Sequence, residues 1–267
     1  MKLKVSLGQM DIALGEPEKN LDKMRAMTAE AQRRGSEVVV FPELWSTGYD
    51  LERVREYATP IDEGVFAETA KIAKENSIHI IGSLLSTADR GYTNTAAIFS
   101  PQGHSLGEYS KVHLFDPMEE PKYLVPGQEA TVFDLAWGKS ALAICYDLRF
   151  PELFRKYALA GARVVFLTAE WPYPRLTHWQ ILLRARAIEN QFFIVACNRV
   201  GESGQWRFFG HSAVYDPSGE LIVDADEEET LATAVIDLDA VDEARQAMPV
   251  LEDRREEVYS GEWPANQ

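Results

Sequence analysis

Three reactive side chains, Glu43, Lys111 and Cys145, each stand where a short strand-like segment ends. In α/β proteins the loops at the carboxyl ends of strands carry reactive groups on a rigid frame. A thiol, a carboxylate and an ammonium at such positions match the needs of acyl transfer. The thiol attacks, the carboxylate accepts its proton, and the ammonium stabilises the oxyanion.

Each of these residues also has an ordinary structural interpretation. A lone cysteine after an apolar run is commonly a small buried hydrophobic residue, which is the competing interpretation of Cys145. Glu43 could be a helix cap or a surface carboxylate, and Lys111 a solvated lysine. Their joint placement favours chemistry, but the pattern alone leaves both interpretations open.

The segment around Cys145 predicts a strand, a tight turn and then a helix. Residues 140–144 are small or apolar and end abruptly at Cys145. Pro151 suits the first turn of a helix, and Glu152 is favourably placed near its N-terminus. This arrangement would hold the sulfur rigidly at a sheet edge.

The remaining elements alternate along the chain. Hydrophobic periodicity predicts the following elements: strands at 2–10, 38–41, 78–84, 93–99, 105–111, 164–167, 192–197 and 230–237, and helices at 16–34, 64–76, 152–160 and 176–190. A hairpin is predicted around the turn at 216–219. No linker, repeat or low-complexity segment interrupts this order, so one α/β domain is expected over residues 1–267.

Composition excludes several classes of function. The 267 residues carry a net charge of −15, which disfavours nucleic acid and anionic membranes as partners. The acidic runs at 224–229 and 252–257 are interpreted as solvated surface. No 18-residue apolar run predicts a membrane span, and the N-terminus lacks the pattern of a signal peptide. Two cysteines without close spacing are typical of a reducing cytoplasm.

Other chemistries find less support in the sequence. The five histidines are scattered without metal-ligand spacing, and no Gly-rich phosphate loop precedes a helix, so no metal or cofactor is expected. A Cys-His-Asn arrangement could use His113 or His178 with Asn198, although no ordered block of sequence supports it.

Three ordered segments resemble a known family. Residues 41–44 (FPEL), 109–115 (YSKVHLF) and 143–153 (AICYDLRFPEL) are similar to the three signature blocks of the nitrilase superfamily of carbon–nitrogen hydrolases. Residues 210–219 resemble the late hairpin of that family, and residues 249–259 resemble its C-terminal tail. The chain is identified as a member on this resemblance, which covers nearly its whole length.

The resemblance implies a four-layer α-β-β-α sandwich and a Glu-Lys-Cys triad. On the matching positions, Glu43 is the general base, Lys111 the cation on the oxyanion side and Cys145 the nucleophile. The resemblance also implies that the backbone N–H of Tyr146 is a second donor to the oxyanion.

The family uses a second glutamate, seven residues before the glycine of a Pro-Gly pair. In this chain Pro126-Gly127 sets the register and points to Glu120. Glu119 stays open as the alternative, because a slip of one residue would select it.

A homodimer is a further implication of the resemblance. The contacts would involve residues near 150–190 and a tail at about 245–267 that packs on a partner subunit. The tail contains apolar side chains at residues 249–251 and at Trp263. Few local elements are predicted that could bury them, so contact with a partner subunit is expected.

Within the superfamily, residues 145–152, 171–175, 178–179 and 184–191 look most like the ω-amidase branch. That branch hydrolyses the terminal amide of small α-keto acid amides such as 2-oxoglutaramate. A short-chain aliphatic amidase or an N-carbamoyl hydrolase on the same triad is the alternative, and a catalytically silent binding protein of this fold is a third possibility.

The wall of the pocket decides between these substrates. Tyr49 and Trp171 are predicted to line a tight aromatic cavity, with Arg175 or Arg149 as a bidentate partner for a distal carboxylate. Related sequences often carry a neutral residue at Glu170. An extra carboxylate there is expected to oppose an anionic substrate tail.

Overall fold

Two six-stranded β-sheets form the centre of the molecule in the computed structural model, which describes residues 1–259. The first sheet contains β1 (Lys2–Gln9), β2 (Val38–Val40), β3 (His79–Ala88), β4 (Gly91–Phe99), β5 (Ser105–Ser110) and β14 (Thr230–Asp237). The second contains β6 (Val132–Leu135), β7 (Gly138–Ile144), β8 (Val164–Ala169), β9 (Phe193–Asn198), β12 (Ala213–Tyr215) and β13 (Leu221–Asp224). A separate hairpin joins β10 (Val200–Ser203) to β11 (Trp206–Phe209).

The helices lie between these strands in sequence. They are α1 (Pro17–Arg33), α2 (Val54–Tyr57), α3 (Gly64–Asn76), α4 (Glu120–Tyr123), α5 (Pro151–Leu159), α6 (Leu176–Asn190), α7 (Asp239–Ala247) and α8 (Glu256–Tyr259). Short 3-10 helices span Leu51–Arg53, Asp116–Met118 and Cys145–Arg149. Among the described residues, no helix is long and apolar enough to cross a membrane.

Both sheets have a parallel centre and antiparallel flanks. In the first, with the order β14-β1-β2-β3-β4-β5, strands β1, β2 and β3 run parallel. In the second, with the order β13-β12-β9-β8-β7-β6, strands β7, β8 and β9 run parallel. Parallel strands deliver the loops that follow them to one edge of their sheet. Glu43, Cys145 and Glu170 all follow such strands.

The layers follow from which apolar faces pack together. Leu3, Val5 and Leu7 of β1 are buried in one cluster with residues of β7, β8 and β9, so the two sheets face each other. Met24 of α1 and Phe66 of α3 pack on the outer face of the first sheet. Phe154 of α5 and Trp179 of α6 pack on the second sheet. The four-layer α-β-β-α prediction is confirmed.

Most predicted elements are present with ends shifted by a few residues, whereas β6, the β10–β11 hairpin and the four-residue helices α2, α4 and α8 were not predicted. Strand β6 was not predicted because its four residues are half-buried or exposed and carry no clear alternation. The β10–β11 hairpin was not predicted because a turn at Gly204 divides two strands of only four residues. Strands this short leave a weak periodic signal.

Candidate active site

Glu43, Lys111 and Cys145 meet at the interface of the two sheets. Glu43 follows β2, Lys111 follows β5 and Cys145 follows β7, and all three are buried. The ammonium Nζ of Lys111 lies 2.7 Å from Oε1 of Glu43. The same two charged groups act electrostatically on the Cys145 thiol. The structure therefore brings together the three residues that the strand ends predicted.

The second carboxylate in this cluster belongs to Glu120. Its Oε2 lies 2.9 Å from the Lys111 ammonium and accepts a hydrogen bond from the backbone N–H of Phe115. Glu119 instead points outward, with 65% of its side chain exposed and Lys122 at 3.7 Å. Of the two candidate positions, the structure places Glu120 beside the lysine.

Two neutral donors join the carboxylates. The Tyr49 hydroxyl lies 2.8 Å from Glu43 Oε1 and 3.1 Å from Glu120 Oε1. The Asn94 amide donates to the same two oxygens at 2.8 and 3.3 Å. Oε1 of Glu43 thus has three donors when Lys111 is included, whereas Oε2 accepts from the backbone N–H of Glu170. Oε2 retains acceptor capacity and is the oxygen suited to take a proton.

Burial and charge set the protonation of the cluster. Burial lowers the pKa of Lys111, but Glu120 and Glu43 outweigh it, so the net pKa lies above its usual value and the ammonium stays charged. Burial raises the pKa of the Cys145 thiol, and Glu43 raises it further against the opposing effect of Lys111. The resting cysteine is therefore a neutral thiol, and its attack requires transfer of the proton to a neighbouring base.

The turn after β7 is held in an uncommon backbone conformation. Cys145 has a φ of 45°, which a residue with a side chain rarely adopts. The buried Asp147 carboxylate stabilises the turn because it accepts hydrogen bonds from the backbone N–H of Ile144 at 2.9 Å and from the Tyr109 hydroxyl at 2.7 Å. His113 approaches its other oxygen at 2.8 Å. These contacts fix the sulfur relative to Lys111.

A small pocket opens over Cys145. Its empty space is about 220 Å³, and its lining residues are Phe115, Cys145, Tyr146, Arg149, Trp171, Pro172 and Arg175. The Arg149 guanidinium lies 4.8 Å from the Trp171 ring, and that of Arg175 lies 5.8 Å from the Phe115 ring. Within residues 1–259 neither arginine forms an ion pair with an acidic side chain.

The remaining predicted pocket residues differ in position. Trp171, Arg149 and Arg175 line the pocket over Cys145, as does Tyr146. Tyr49 instead contributes its hydroxyl to the carboxylate cluster and lines a neighbouring cavity. Tyr49 therefore lies beside the triad, and its role in substrate binding stays a prediction.

Glu170 also lies on that neighbouring cavity and not on the Cys145 pocket. Its carboxylate is buried at 3.0 Å from the guanidinium of Arg199. The sequence did not indicate that Glu170 has Arg199 as an ion-pair partner, and the expectation that Glu170 opposes an anionic substrate tail assumed an unpaired carboxylate.

Three positions that the sequence did not single out support the cluster: Asn94, Asp147 and Arg199. Each is a buried polar residue. Asn94 interrupts the apolar strand β4, which was a usable signal. Asp147 and Arg199 carry no local sign of a role, because Tyr109 lies 38 residues from Asp147 and Glu170 lies 29 residues from Arg199.

The Cys-His-Asn alternative is not assembled. His113 is engaged with Asp147, and Asn198 binds backbone groups of Trp171. His211, Asp224 and Asp226 do come within 4.8 Å of one another, but they are hydrogen-bonded among themselves. The expected absence of a metal cofactor stays a prediction.

The four-layer sandwich is the fold of the nitrilase superfamily, and comparison with known proteins identifies the family. The profile of the Carbon-nitrogen hydrolase family matches residues 4–246. The chain belongs to this family within the nitrilase superfamily, and it is a hydrolase of carbon–nitrogen bonds other than peptide bonds.

Three relatives illustrate the match. The 2-oxoglutaramate amidase of Bacillus subtilis (strain 168) is 42% identical over 260 residues, which cover 97% of this chain and 100% of that protein. The structure of the CN-hydrolase superfamily protein XC1258 from Xanthomonas campestris has a TM-score of 0.89 and 30% identity, and covers 96% of this chain and 98% of its own. The third is the structure of a variant of the amidase from Nesterenkonia sp. AN1, which carries the acetamide moiety of fluoroacetamide on its active-site cysteine. It has a TM-score of 0.86 and 26% identity, and the match covers 96% of this chain and 95% of that protein.

Proposed function

We propose that the protein is an ω-amidase, which hydrolyses the terminal amide of small α-keto acid monoamides such as 2-oxoglutaramate. The observation that carries this proposal is the buried Glu43–Lys111–Glu120 cluster beside Cys145. It lies under a pocket lined by Arg149 and Arg175, which form no ion pair with any acidic side chain of residues 1–259. The name of the Bacillus subtilis relative supports the same substrate class.

In the first half-reaction Cys145 is the nucleophile and Glu43 the general base. Glu43 accepts the thiol proton, and the thiolate forms a bond to the amide carbon. The developing oxyanion is stabilised by the Lys111 ammonium and by the backbone N–H of Tyr146. As the C–N bond breaks, Glu43 returns the proton to nitrogen, so ammonia leaves and a thioester remains.

Water completes the cycle. Glu43 takes a proton from the water that attacks the thioester carbon, and the C–S bond then breaks. The thiolate recovers that proton and the carboxylic acid is released. Glu120 holds Lys111 in place through this cycle, because both of its oxygens lie within 3.0 Å of the ammonium.

Arg149 and Arg175 suit the distal carboxylate of such a substrate. Their guanidinium groups stand over aromatic rings at the pocket, where a planar fork can bind a carboxylate through two hydrogen bonds. Glu170 does not cancel this positive site, because its carboxylate is paired with Arg199 at 3.0 Å.

We expect kcat/KM for 2-oxoglutaramate to exceed that for pentanamide, a neutral amide with the same number of carbons. The difference should be about tenfold or more, since hydrogen bonds to a charged group contribute about 1.5–3 kcal/mol. An ammonia-release assay with both substrates measures it. A tenfold preference for pentanamide would reject the ω-amidase assignment and leave the triad in place.

Substitution of an arginine separates carboxylate recognition from chemistry. Arg175→Met should raise KM for 2-oxoglutaramate and leave turnover of pentanamide nearly unchanged. Arg184→Met is a matched control, because Arg184 lies over the ring of Tyr215 and is not part of the pocket lining. An equal loss with both substrates would assign Arg175 a packing role instead.

A short-chain aliphatic amidase is the second candidate. The lining of the Cys145 pocket, with the three aromatic residues Phe115, Tyr146 and Trp171, and the likeness to the Nesterenkonia amidase favour it. N-carbamoyl hydrolysis would use the same attack, and inclusion of a carbamoyl substrate in the assay tests it. A catalytically silent binding protein would release no ammonia from any of these substrates.

We also propose a homodimer of single-domain chains in a reducing cytoplasm, in which a tail at about 245–267 packs on the partner. Exposed apolar side chains on α5, α6 and the tail support this, among them Leu159, Ile181 and Tyr259. Trp263 lies outside the described residues. The free thiols of Cys145 and Cys197 suit a reducing compartment.

Light scattering should give the mass of a dimer at micromolar concentration, and Ile181→Asp should shift the protein toward monomer. Ile181 is 60% exposed on α6, so the change removes apolar interface area with little cost to the monomer fold. Leu106→Asp is the matched control, an exposed leucine on β5 outside the proposed contact. A monomeric wild-type protein would refute the dimer.

A further inference from the structure

Glu170 contacts the proposed general base through its backbone. It is the first residue after β8, and its N–H donates a hydrogen bond to Oε2 of Glu43 at 2.9 Å. Oε1 of Glu43 is already occupied by three donors. The segment at Glu170 therefore orients the oxygen that must accept the thiol proton.

The side chain of Glu170 is held rigidly by Arg199. Arg199 is fully buried and donates from Nη2 to the backbone carbonyl of Ile12 at 2.8 Å and from Nη1 to the hydroxyl of Ser203 at 3.1 Å. Its guanidinium also packs 4.3 Å from the Phe208 ring. An arginine anchored at so many points fixes the position of the carboxylate that it binds.

One oxygen of this carboxylate is left without a partner. Oε2 of Glu170 is bound by Arg199, whereas Oε1 is buried and has no hydrogen-bond partner among residues 1–259. A buried unsatisfied acceptor destabilises a fold, and a carboxylate more so than a neutral group. The buried ion pair with Arg199 accounts for a charged group at this position, and the same carboxylate also acts electrostatically on Glu43.

We propose that Glu170 is a positioning residue for Glu43: its backbone N–H orients Oε2, and its buried carboxylate places a negative charge behind the base that favours transfer of the Cys145 proton to it. The inference rests on the proposed role of Glu43 as general base. It gives Glu170 an effect on proton transfer and none on substrate binding, since Glu170 is absent from the lining of the Cys145 pocket.

The charges around Glu170 determine the sign of the effect. Glu43, Lys111, Tyr49 and Arg199 act electrostatically on Glu170. Asp11 pairs with Arg199, and Glu119 lies on the same cavity as Glu170. Burial raises the pKa of Glu170 to about 7, although Arg199 opposes the rise. Above that pH the carboxylate is charged, and it stabilises the proton on Glu43 and hence the thiolate of Cys145.

The pH profile of kcat for pentanamide tests the proposal against the variant Glu170→Gln. In the wild type kcat should rise with pH by about tenfold as Glu170 ionises near pH 7. In Glu170→Gln this rise should disappear while KM stays within twofold. Glu119→Gln is the matched control on the same cavity, and its exposed carboxylate should leave the rise intact.

The rate of Cys145 alkylation by iodoacetamide gives a second measurement on the wild type and both variants. It should follow the same pH dependence, because it reports the thiolate without a substrate amide. If Glu170→Gln keeps the wild-type profile in both assays, or if the wild type shows no rise through pH 7, Glu170 is structural and the proposal fails. Failure of the proposed function would look different: 2-oxoglutaramate would release no ammonia, while the alkylation profiles of the wild type and Glu170→Gln would still differ.

Discussion

Ammonia release is expected to fall by about 10⁴-fold or more in Cys145→Ala, with the protein still folded. The reason is that the covalent route disappears with the sulfur, and water at the same position has neither its nucleophilicity nor its fixed placement. The Glu43 carboxylate and the Lys111 ammonium both act electrostatically on the Cys145 thiol. Measurement of single-turnover ammonia release, with circular dichroism to verify folding, checks the result.

Cys197 provides the matched control. It is fully buried in β9 with the Ser212 hydroxyl 3.9 Å away, and burial raises the pKa of its thiol. Cys197→Ala should keep wild-type turnover and lose about 1 kcal/mol of stability through a small cavity. A stoichiometric alkylating agent should label Cys145 in mass spectrometry. Full activity in Cys145→Ala would contradict the triad.

The strand ends were predictable because apolar periodicity is a local signal. Residues 38–41 and 140–144 predicted strands from their own composition, so Glu43 and Cys145 could each be assigned to the carboxyl end of a strand. That the two strands belong to different sheets was not predictable in this way. The second glutamate was predicted from a resemblance in spacing. Its burial against Lys111 agrees with that register.

Contacts between distant segments were not predictable in the same way. Nothing near Glu170 in sequence indicates that Arg199, 29 residues later, lies 3.0 Å from it. Asn94 meets Glu43 and Glu120 because three separate elements converge there. A single-sequence pattern specifies which face a residue occupies, whereas these pairings depend on how the two sheets pack.

The Lys111→Met variant should lose about 10²–10³-fold in kcat from the missing oxyanion contact alone. A larger loss is expected here, because the lysine also separates Glu43 from Glu120. Burial raises the pKa of Glu120, and Lys111 opposes the rise. Without the ammonium, the two buried carboxylates share a proton, and a protonated Glu43 cannot act as a base.

The same variant predicts a stability loss that depends on pH. Removal of one partner of a buried ion pair costs about 3–5 kcal/mol, because the other charge is left unpaired. In Lys111→Met the effect of burial on Glu120 is no longer opposed by the lysine, so the folded-state pKa of Glu120 lies above the unfolded value of about 4.3. Stability is therefore least affected below that pH and falls as pH rises through the folded value. Urea unfolding at pH 5 and pH 8 should therefore show the larger deficit at pH 8.

Lys122→Met is the matched control for both measurements. Lys122 is 60% exposed and lies 3.7 Å from Glu119, so neither activity nor the pH dependence of unfolding should change. Wild-type turnover in Lys111→Met would place the oxyanion elsewhere. The Lys111 ammonium lies 2.7 Å from Glu43 and 2.9 Å from Glu120, so the charge of both carboxylates is expected to depend on it. A stability deficit equal at pH 5 and pH 8 would contradict that dependence.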